Sequence, residues 1–245
     1  MGMPVTWFEI NGPEPEQTAK FFSELFGWHT ETVEGGYVLI DTHAGRGING
    51  GIGNPPQGQE AHSVFYAQTA DIQAVLDKAS AMGSKTVVPV TEIPEMVTFA
   101  TFTDPFGNLV GLIKGDESET GEVSAGNNPP VDWFELSCSE PQKAWDFYRD
   151  LFGWTIKGGG DDEGFVHAGV ESGSGAAKGG LGSSPSGRAQ MVMYAYVDDL
   201  AKYLERAEEL GGKTMMPATK VDEHTTIAVF TDPQGNTFGL YSSDD

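Results

Sequence analysis

Apolar and polar residues alternate along Trp7-Phe8-Glu9-Ile10. This is the two-residue period of a half-buried strand, and it predicts one over residues 5–10. Asn11-Gly-Pro-Glu-Pro-Glu then places proline and acids where a helix start favours them. Phe21, Phe22 and Leu25 follow at helical spacing, and Gly27 is suited to end the helix. Residues 37–41 predict a strand, and the glycine-rich run 45–53 predicts a turn and a further strand. From His62 the order begins again: a strand over 62–69, a helix over 71–82 ended by Gly83, and strands near 85–88, 97–103 and 109–113. Asp104-Pro-Phe-Gly-Asn108 predicts a tight turn joining the last two strands as a hairpin, because Asp, Pro and Gly suit its first, second and fourth positions.

The pattern then repeats. Trp7-Phe-Glu-Ile returns as Trp133-Phe-Glu-Leu, and Phe21-Phe-Ser-Glu-Leu-Phe-Gly-Trp28 as Phe147-Tyr-Arg-Asp-Leu-Phe-Gly-Trp154. Residues 61–113 align without gaps on 189–241 with 23 identities in 53 positions, which marks a duplication. Each copy reads as two β-α-β-β-β modules, giving domains at 4–114 and 131–242. The stretch 115–130 carries four acids and no base, and its composition predicts an acidic linker that cannot order itself by burial.

Composition narrows the partners. Lys and Arg total 14 against 36 Asp and Glu, a formal charge of -22, so phosphate backbones and anionic headgroups are repelled and no nucleic acid or membrane partner is expected. No run is apolar enough to span a bilayer and no signal peptide is evident, so a cytoplasmic protein is expected. Cys138, the single cysteine, excludes an internal disulfide and is expected to be a buried structural thiol.

Strand period sorts candidate residues by face. Phe8 and Ile10 are needed under the helix stripe, which turns Trp7 and Glu9, with Trp133 and Glu135, toward the opposite face. His62, Val64 and Tyr66 share a face, as do Gln190, Val192 and Tyr194. Val110/Leu112 and Phe238/Leu240 belong to the core, which leaves Gly111, Gly239 and Tyr241 for the opposite face. Glu9 and Glu135 are the candidate catalytic groups: a carboxylate desolvated beside indole suits a general base or acid, or an acceptor for a ligand donor. The alternative is a glutamate satisfied by neighbouring backbone or hydroxyl donors. The candidate ligand-binding residues are Trp7, Glu9, His62, Tyr66, Gly111, Trp133, Glu135, Gln190, Tyr194 and Tyr241, whose aromatic members can stack on a flat organic ligand. Gly45-Arg-Gly-Ile-Asn-Gly50 matches a dinucleotide pattern, but no helix opens from it and the reading is rejected.

The doubled Trp-Phe-Glu-Ile/Leu, Phe-Phe/Tyr-x-x-Leu-Phe-Gly-Trp, Gly-Gly-Ile/Leu at 50–52 and 179–181, and Asp-Pro-x-Gly-Asn motifs together resemble the vicinal oxygen chelate superfamily, which includes glyoxalases, bleomycin-resistance proteins and extradiol dioxygenases. The likeness is to its two-domain, glyoxalase-like actinobacterial members and covers nearly the whole chain. It implies an α+β fold of tandem domains, each curling its two modules into a half-open barrel with a concave cleft. Metal-dependent relatives place His, Gln or Glu on the first, fourth, fifth and eighth strands of a copy. Three of those places hold Trp7, Val64 and Gly111 here, or Trp133, Val192 and Gly239, and the fourth falls in the Gly-Gly strand. None can ligate through its side chain, and no histidine recurs between copies, so no metal and no cofactor is expected, with a divalent ion kept as the alternative.

The expected function is a metal-independent small-molecule-binding protein that holds an apolar or aromatic metabolite in a concave cleft. The alternatives are a metal-dependent lyase, isomerase or dioxygenase, and a metal-free enzyme with Glu9 or Glu135 as base. The two clefts differ at His62 against Gln190 and Ile113 against Tyr241, which predicts unequal affinities. A monomer with pseudo-twofold domain pairing or a homodimer is expected.

Overall fold

The computed structural model describes residues 2–55, 61–116, 122–162, 165–172, 177–184 and 186–244, with the side chains of 159–162 and 165–167 left aside. The first copy runs β1 (Val5–Asn11), α1 (Pro15–Phe26), β2 (His29–Thr32), β3 (Val38–Asp41), β4 (Asn49–Gly53), β5 (His62–Thr69), α2 (Ile72–Ala81), β6 (Lys85–Ile93), β7 (Val97–Thr103) and β8 (Leu109–Lys114). The second runs β9 (Val131–Cys138), α3 (Pro141–Phe152), β10 (Thr155–Asp162), β11 (Phe165–Glu171), β12 (Lys178–Ser183), β13 (Gln190–Tyr196), α4 (Leu200–Glu209), β14 (Lys213–Lys220), β15 (Thr225–Thr231) and β16 (Thr237–Ser243). Each copy is two βαβββ modules building one eight-stranded sheet, in the order β2-β3-β4-β1-β5-β8-β7-β6 and β10-β11-β12-β9-β13-β16-β15-β14. The end strands of a sheet are not neighbours, so each sheet is a half-open surface rather than a closed barrel.

Local chemistry sets the element ends. Pro15 opens α1, and Gly27 closes it in the left-handed region at φ 74°, its N–H donating to Ser23 O at 2.8 Å. Asp71 and Asp199 cap α2 and α4, each carboxylate accepting from a backbone N–H three residues on at 3.0 Å. The strand β2 escaped the sequence pattern because His29-Thr-Glu-Thr32 carries no apolar residue; it is an edge strand that pairs only through β3.

The chain forms two compact units, and each takes one module from each copy. The first unit comprises residues 1–6, 64–121 and 133–191. Its core gathers Phe65, Phe134, Tyr148, Phe152 and Trp154, with Tyr148 stacked on Trp154 at 5.4 Å. The second comprises 7–63, 122–132 and 192–245, and its core gathers Phe8, Phe22, Trp28, Phe230 and Phe238. Phe8 and Ile10 are fully buried there, so the apolar positions of β1 are turned to the helix side. Truncating one such ring costs about 3–5 kcal/mol through lost transfer energy and the cavity left behind. Gly50 permits this packing: a Cβ there would come within 2.6 Å of the Phe8 ring, and Gly179 holds the same relation to Phe134.

The acidic stretch between the copies is not free over its second half. Gly45 N–H donates to Ser124 O at 3.0 Å, Trp28 Nε1 to Pro129 O at 2.9 Å, and Asn128 Nδ2 to Gly27 O at 2.8 Å. Composition suggests a segment unable to order itself by burial. Hydrogen bonds from both side chains and backbone hold its second half instead.

Candidate functional site

The strand β1 pairs in parallel with β4, which sets Glu9 opposite Gly51 and Asn11 opposite Gly53. Trp7, Glu9 and Asn11 occupy alternate positions, on the face away from the Phe8 core. Tyr37, just ahead of β3, lies flat across the two glycines, and a Cβ on Gly51 would overlap its ring. The four polar side chains join end to end. Trp7 Nε1 donates to Tyr37 Oη at 3.3 Å, Tyr37 Oη donates to Glu9 Oε2 at 3.0 Å, and Asn11 Nδ2 donates to Glu9 Oε1 at 2.8 Å. Burial pushes the Tyr37 hydroxyl well above its ordinary value and the Glu9 charge adds to the effect, so the phenol keeps its proton and remains a donor. The arrangement is a pre-set carboxylate beside a partly exposed indole, with each Glu9 oxygen oriented by a donor.

Two further pairs recur. Tyr66 of β5 is opposite Gly111 of β8, and Tyr194 of β13 is opposite Gly239 of β16. In both, a Cβ on the glycine would run into the tyrosine ring, so the missing side chain is the seat on which the ring lies. Tyr66 and Tyr194 are 4% and 7% exposed, which makes them walls rather than projecting groups. His62 begins β5, partly exposed, and Gln190 begins β13, exposed.

The second copy keeps less of the first copy's wall. Trp133 Nε1 donates to Glu135 Oε2 at 3.4 Å, and Ser137, at the place of Asn11, donates to the Gln190 carbonyl at 3.5 Å. Register sets His167 opposite Gly182, the counterpart of Gly53, and therefore at the Tyr37 position. Tyr241 is not an isolated aromatic. Its hydroxyl donates to Asp132 Oδ1 at 2.6 Å, its ring lies 5.3 Å from Tyr196, and Arg46 pairs with the other Asp132 oxygen. Burial raises the Asp132 carboxyl above its usual range although Tyr241 and Arg46 both oppose it, and burial with the Asp132 charge raises the Tyr241 hydroxyl.

The positions that the family likeness assigns to metal ligands fit a divalent ion poorly. Gly111 and Gly239 lie under tyrosine rings, Val64 and Val192 are buried apolar residues, and Trp7 and Trp133 donate to their neighbours. Among the described residues no three His, Cys, Asp or Glu side chains gather as a metal-ligating group. Cys138 is buried, and burial pushes its thiol up.

Sequence reasoning overlooked Tyr37, Arg46, Asp132 and Tyr196. Glycines at 51 and 53, on the same strand face as Glu9, were the signal for Tyr37, since a glycine in a strand marks a close approach. Arg46 offered no such mark, because its partners are far away in sequence.

Comparison with known proteins agrees with this architecture. CFP32 of Mycobacterium tuberculosis, named "Putative glyoxylase", is 24% identical over 245 residues, covering 96% of this chain and 92% of that protein. The anthracycline biosynthesis protein DnrV of Streptomyces peucetius is 27% identical over 230 residues, covering 84% and 81%. The fold is shared with the Mn(II)-bound glyoxalase from Novosphingobium aromaticivorans (TM-score 0.70, 15% identity, covering 98% of this chain and 82% of that one) and with the 2,3-dioxygenase LapB from Pseudomonas sp. KL28 (TM-score 0.69, 14% identity, covering 100% and 94%). The model of the Glyoxalase/Bleomycin resistance protein/Dioxygenase superfamily matches residues 5–112 and 131–240, and the chain belongs to that superfamily.

Proposed function

We propose that the chain binds a small aromatic, hydrogen-bond-donating metabolite against the Trp7/Glu9/Asn11/Tyr37 wall of its first copy, without a metal ion. The observation that carries this reading is the orientation of both Glu9 oxygens by Tyr37 and Asn11 beside the Trp7 indole. A carboxylate offers about four acceptor sites, so a ligand hydroxyl or amine can donate to the oriented Glu9 while its ring stacks on the indole. The same two donors favour an acceptor role for Glu9 over that of a general base. The naming of DnrV for anthracycline biosynthesis makes polycyclic phenols a sensible first probe class.

A metal-dependent lyase or dioxygenase is the rival reading, favoured by the Mn(II)-bound glyoxalase and the dioxygenases that share the fold. The donor-poor ligand positions weigh against it. A thermal-shift screen of phenols, aromatic amines, daunorubicin and bleomycin, followed by calorimetry, tests the proposal. A saturable ligand whose affinity falls at least tenfold in Trp7→Ala and in Glu9→Gln supports it. Ligands that bind both variants as they bind the parent chain refute it.

A further inference from the structure

We infer that Asp132, Tyr196 and Tyr241 form a cation-recognition site that the chain fills with its own Arg46. The components are those that select a guanidinium or ammonium group. Asp132 presents a carboxylate whose side chain is only 15% exposed, with one oxygen fixed by the Tyr241 hydroxyl at 2.6 Å and the other against Arg46. The Arg46 guanidinium carbon lies 5.0 Å above the Tyr196 ring centre, within the range of a cation–π contact, and the Tyr241 ring closes the corner at 73° to it.

Receptor and occupant differ in exposure. Asp132, Tyr196 and Tyr241 stand on paired backbone: Tyr196 is opposite Tyr241 between β13 and β16, and the Tyr196 N–H donates to Pro130 O at 3.0 Å. Arg46 comes in on a loop between two glycines in the left-handed region, Gly45 at φ 68° and Gly47 at φ 80°, whose ends are tied by Gly45 N–H to Ser124 O at 3.0 Å and Ile48 N–H to Val131 O at 2.8 Å, while its side chain is 52% exposed. The receptor is thus the inner half, and the arginine side chain is the outer, solvent-facing part.

The fold does not require this cluster. At the matching places of the first copy stand Thr6, Gln68 and Ile113, where Thr6 Oγ1 donates to Gln68 Oε1 at 3.0 Å. The second copy alone carries a carboxylate with two tyrosines at these places. A chain of net charge -22 also raises the concentration of cations at its surface. The inference is independent of the Trp7/Glu9 wall, and either can fail without the other.

The test is a titration of Arg46→Ala with methylguanidinium chloride, read by thermal shift and by NMR shifts of the tyrosine rings, against sodium chloride at equal ionic strength. The expected result is a lowered melting temperature that methylguanidinium restores saturably, with binding at least tenfold tighter than to the parent chain. Adding Asp132→Asn to Arg46→Ala should abolish that binding, and adding Tyr196→Leu should weaken it several-fold. Methylguanidinium binding to Arg46→Ala that is no tighter than to the parent chain, or that survives Asp132→Asn, overturns the inference. If Arg46→Ala does not fold, Arg46→Gln takes the same titration with the same outcomes.

Discussion

Tyr37 Oη donates to Glu9 Oε2 at 3.0 Å while its ring covers Gly51, so the phenol both orients the carboxylate and fills the space that a side chain on β4 would take. Tyr37→Phe keeps the ring and removes the donor. A hydrogen bond to a charged group contributes about 1.5–3 kcal/mol. Affinity for a ligand of the wall, measured by calorimetry, should fall about tenfold to a hundredfold while the circular dichroism spectrum is unchanged. Unaltered affinity would separate Tyr37 from binding.

Gly111 and Gly239 are seats for Tyr66 and Tyr194. Gly111→Ala and Gly239→Ala force each ring off its position, and overpacking of this kind costs about 1–3 kcal/mol. Each variant should lower the denaturant midpoint, and the displaced tyrosine should be visible as a changed near-ultraviolet circular dichroism signal. A variant as stable as the parent chain would mean that the rings have room to shift.

Tyr148 donates to Asp104 Oδ2 at 2.7 Å inside the first unit, where Asp104 also accepts from the backbone N–H groups of Phe106 and Asn108. Phe22 takes the equivalent place in the first copy, so Tyr148→Phe tests a contact that only one unit owns. Leaving a buried carboxylate one donor short should cost about 1–3 kcal/mol in chemical denaturation. A loss below about 0.5 kcal/mol would show that the turn's own donors suffice.

Asp41 ties the 122–130 stretch to β3 through the Ser124 hydroxyl. Burial pushes the Asp41 carboxyl up, but the hydrogen bonds from Ser124 and the His43 N–H and the His43 charge outweigh it and hold it below its ordinary value. A group lowered in this way adds stability that is present above the unfolded carboxylate value, near pH 4, and is lost as pH falls through the folded value. Protection of the Gly45 amide, which donates to Ser124 O, should therefore decline below about pH 4. Asp41→Asn should show the reduced protection already at neutral pH. Equal Gly45 exchange in variant and parent would contradict the role.

The periodic elements were legible and the cross-chain ones were not. Alternation in β1 separates Phe8 and Ile10 from Trp7 and Glu9 without any knowledge of the fold, because one strand face must meet the apolar helix stripe. The spans of β5 and β7 follow from the same rule. β2 was illegible because its stability comes from backbone pairing with β3, which leaves no mark on four polar side chains. Tyr37 falls inside the strand expected over 37–41, but its meeting with Glu9 was marked only by the bare glycines 51 and 53 on the neighbouring strand, and Arg46 meets Asp132 from 86 residues away, where neither periodicity nor spacing could place it. The exchange of modules between the two compact units was hidden for a related reason: duplicated halves carry equivalent apolar faces, and the sequence does not say which face packs on which.

The most direct test of the central claim is a calorimetric titration of daunorubicin, or of the tightest ligand from the screen, into protein stripped of metals by a chelator and checked by elemental analysis. Metal-free protein should bind with the same stoichiometry and affinity as untreated protein, and Glu9→Gln should weaken binding at least tenfold. Binding that disappears with the metal and returns with one equivalent of a divalent ion would contradict the account.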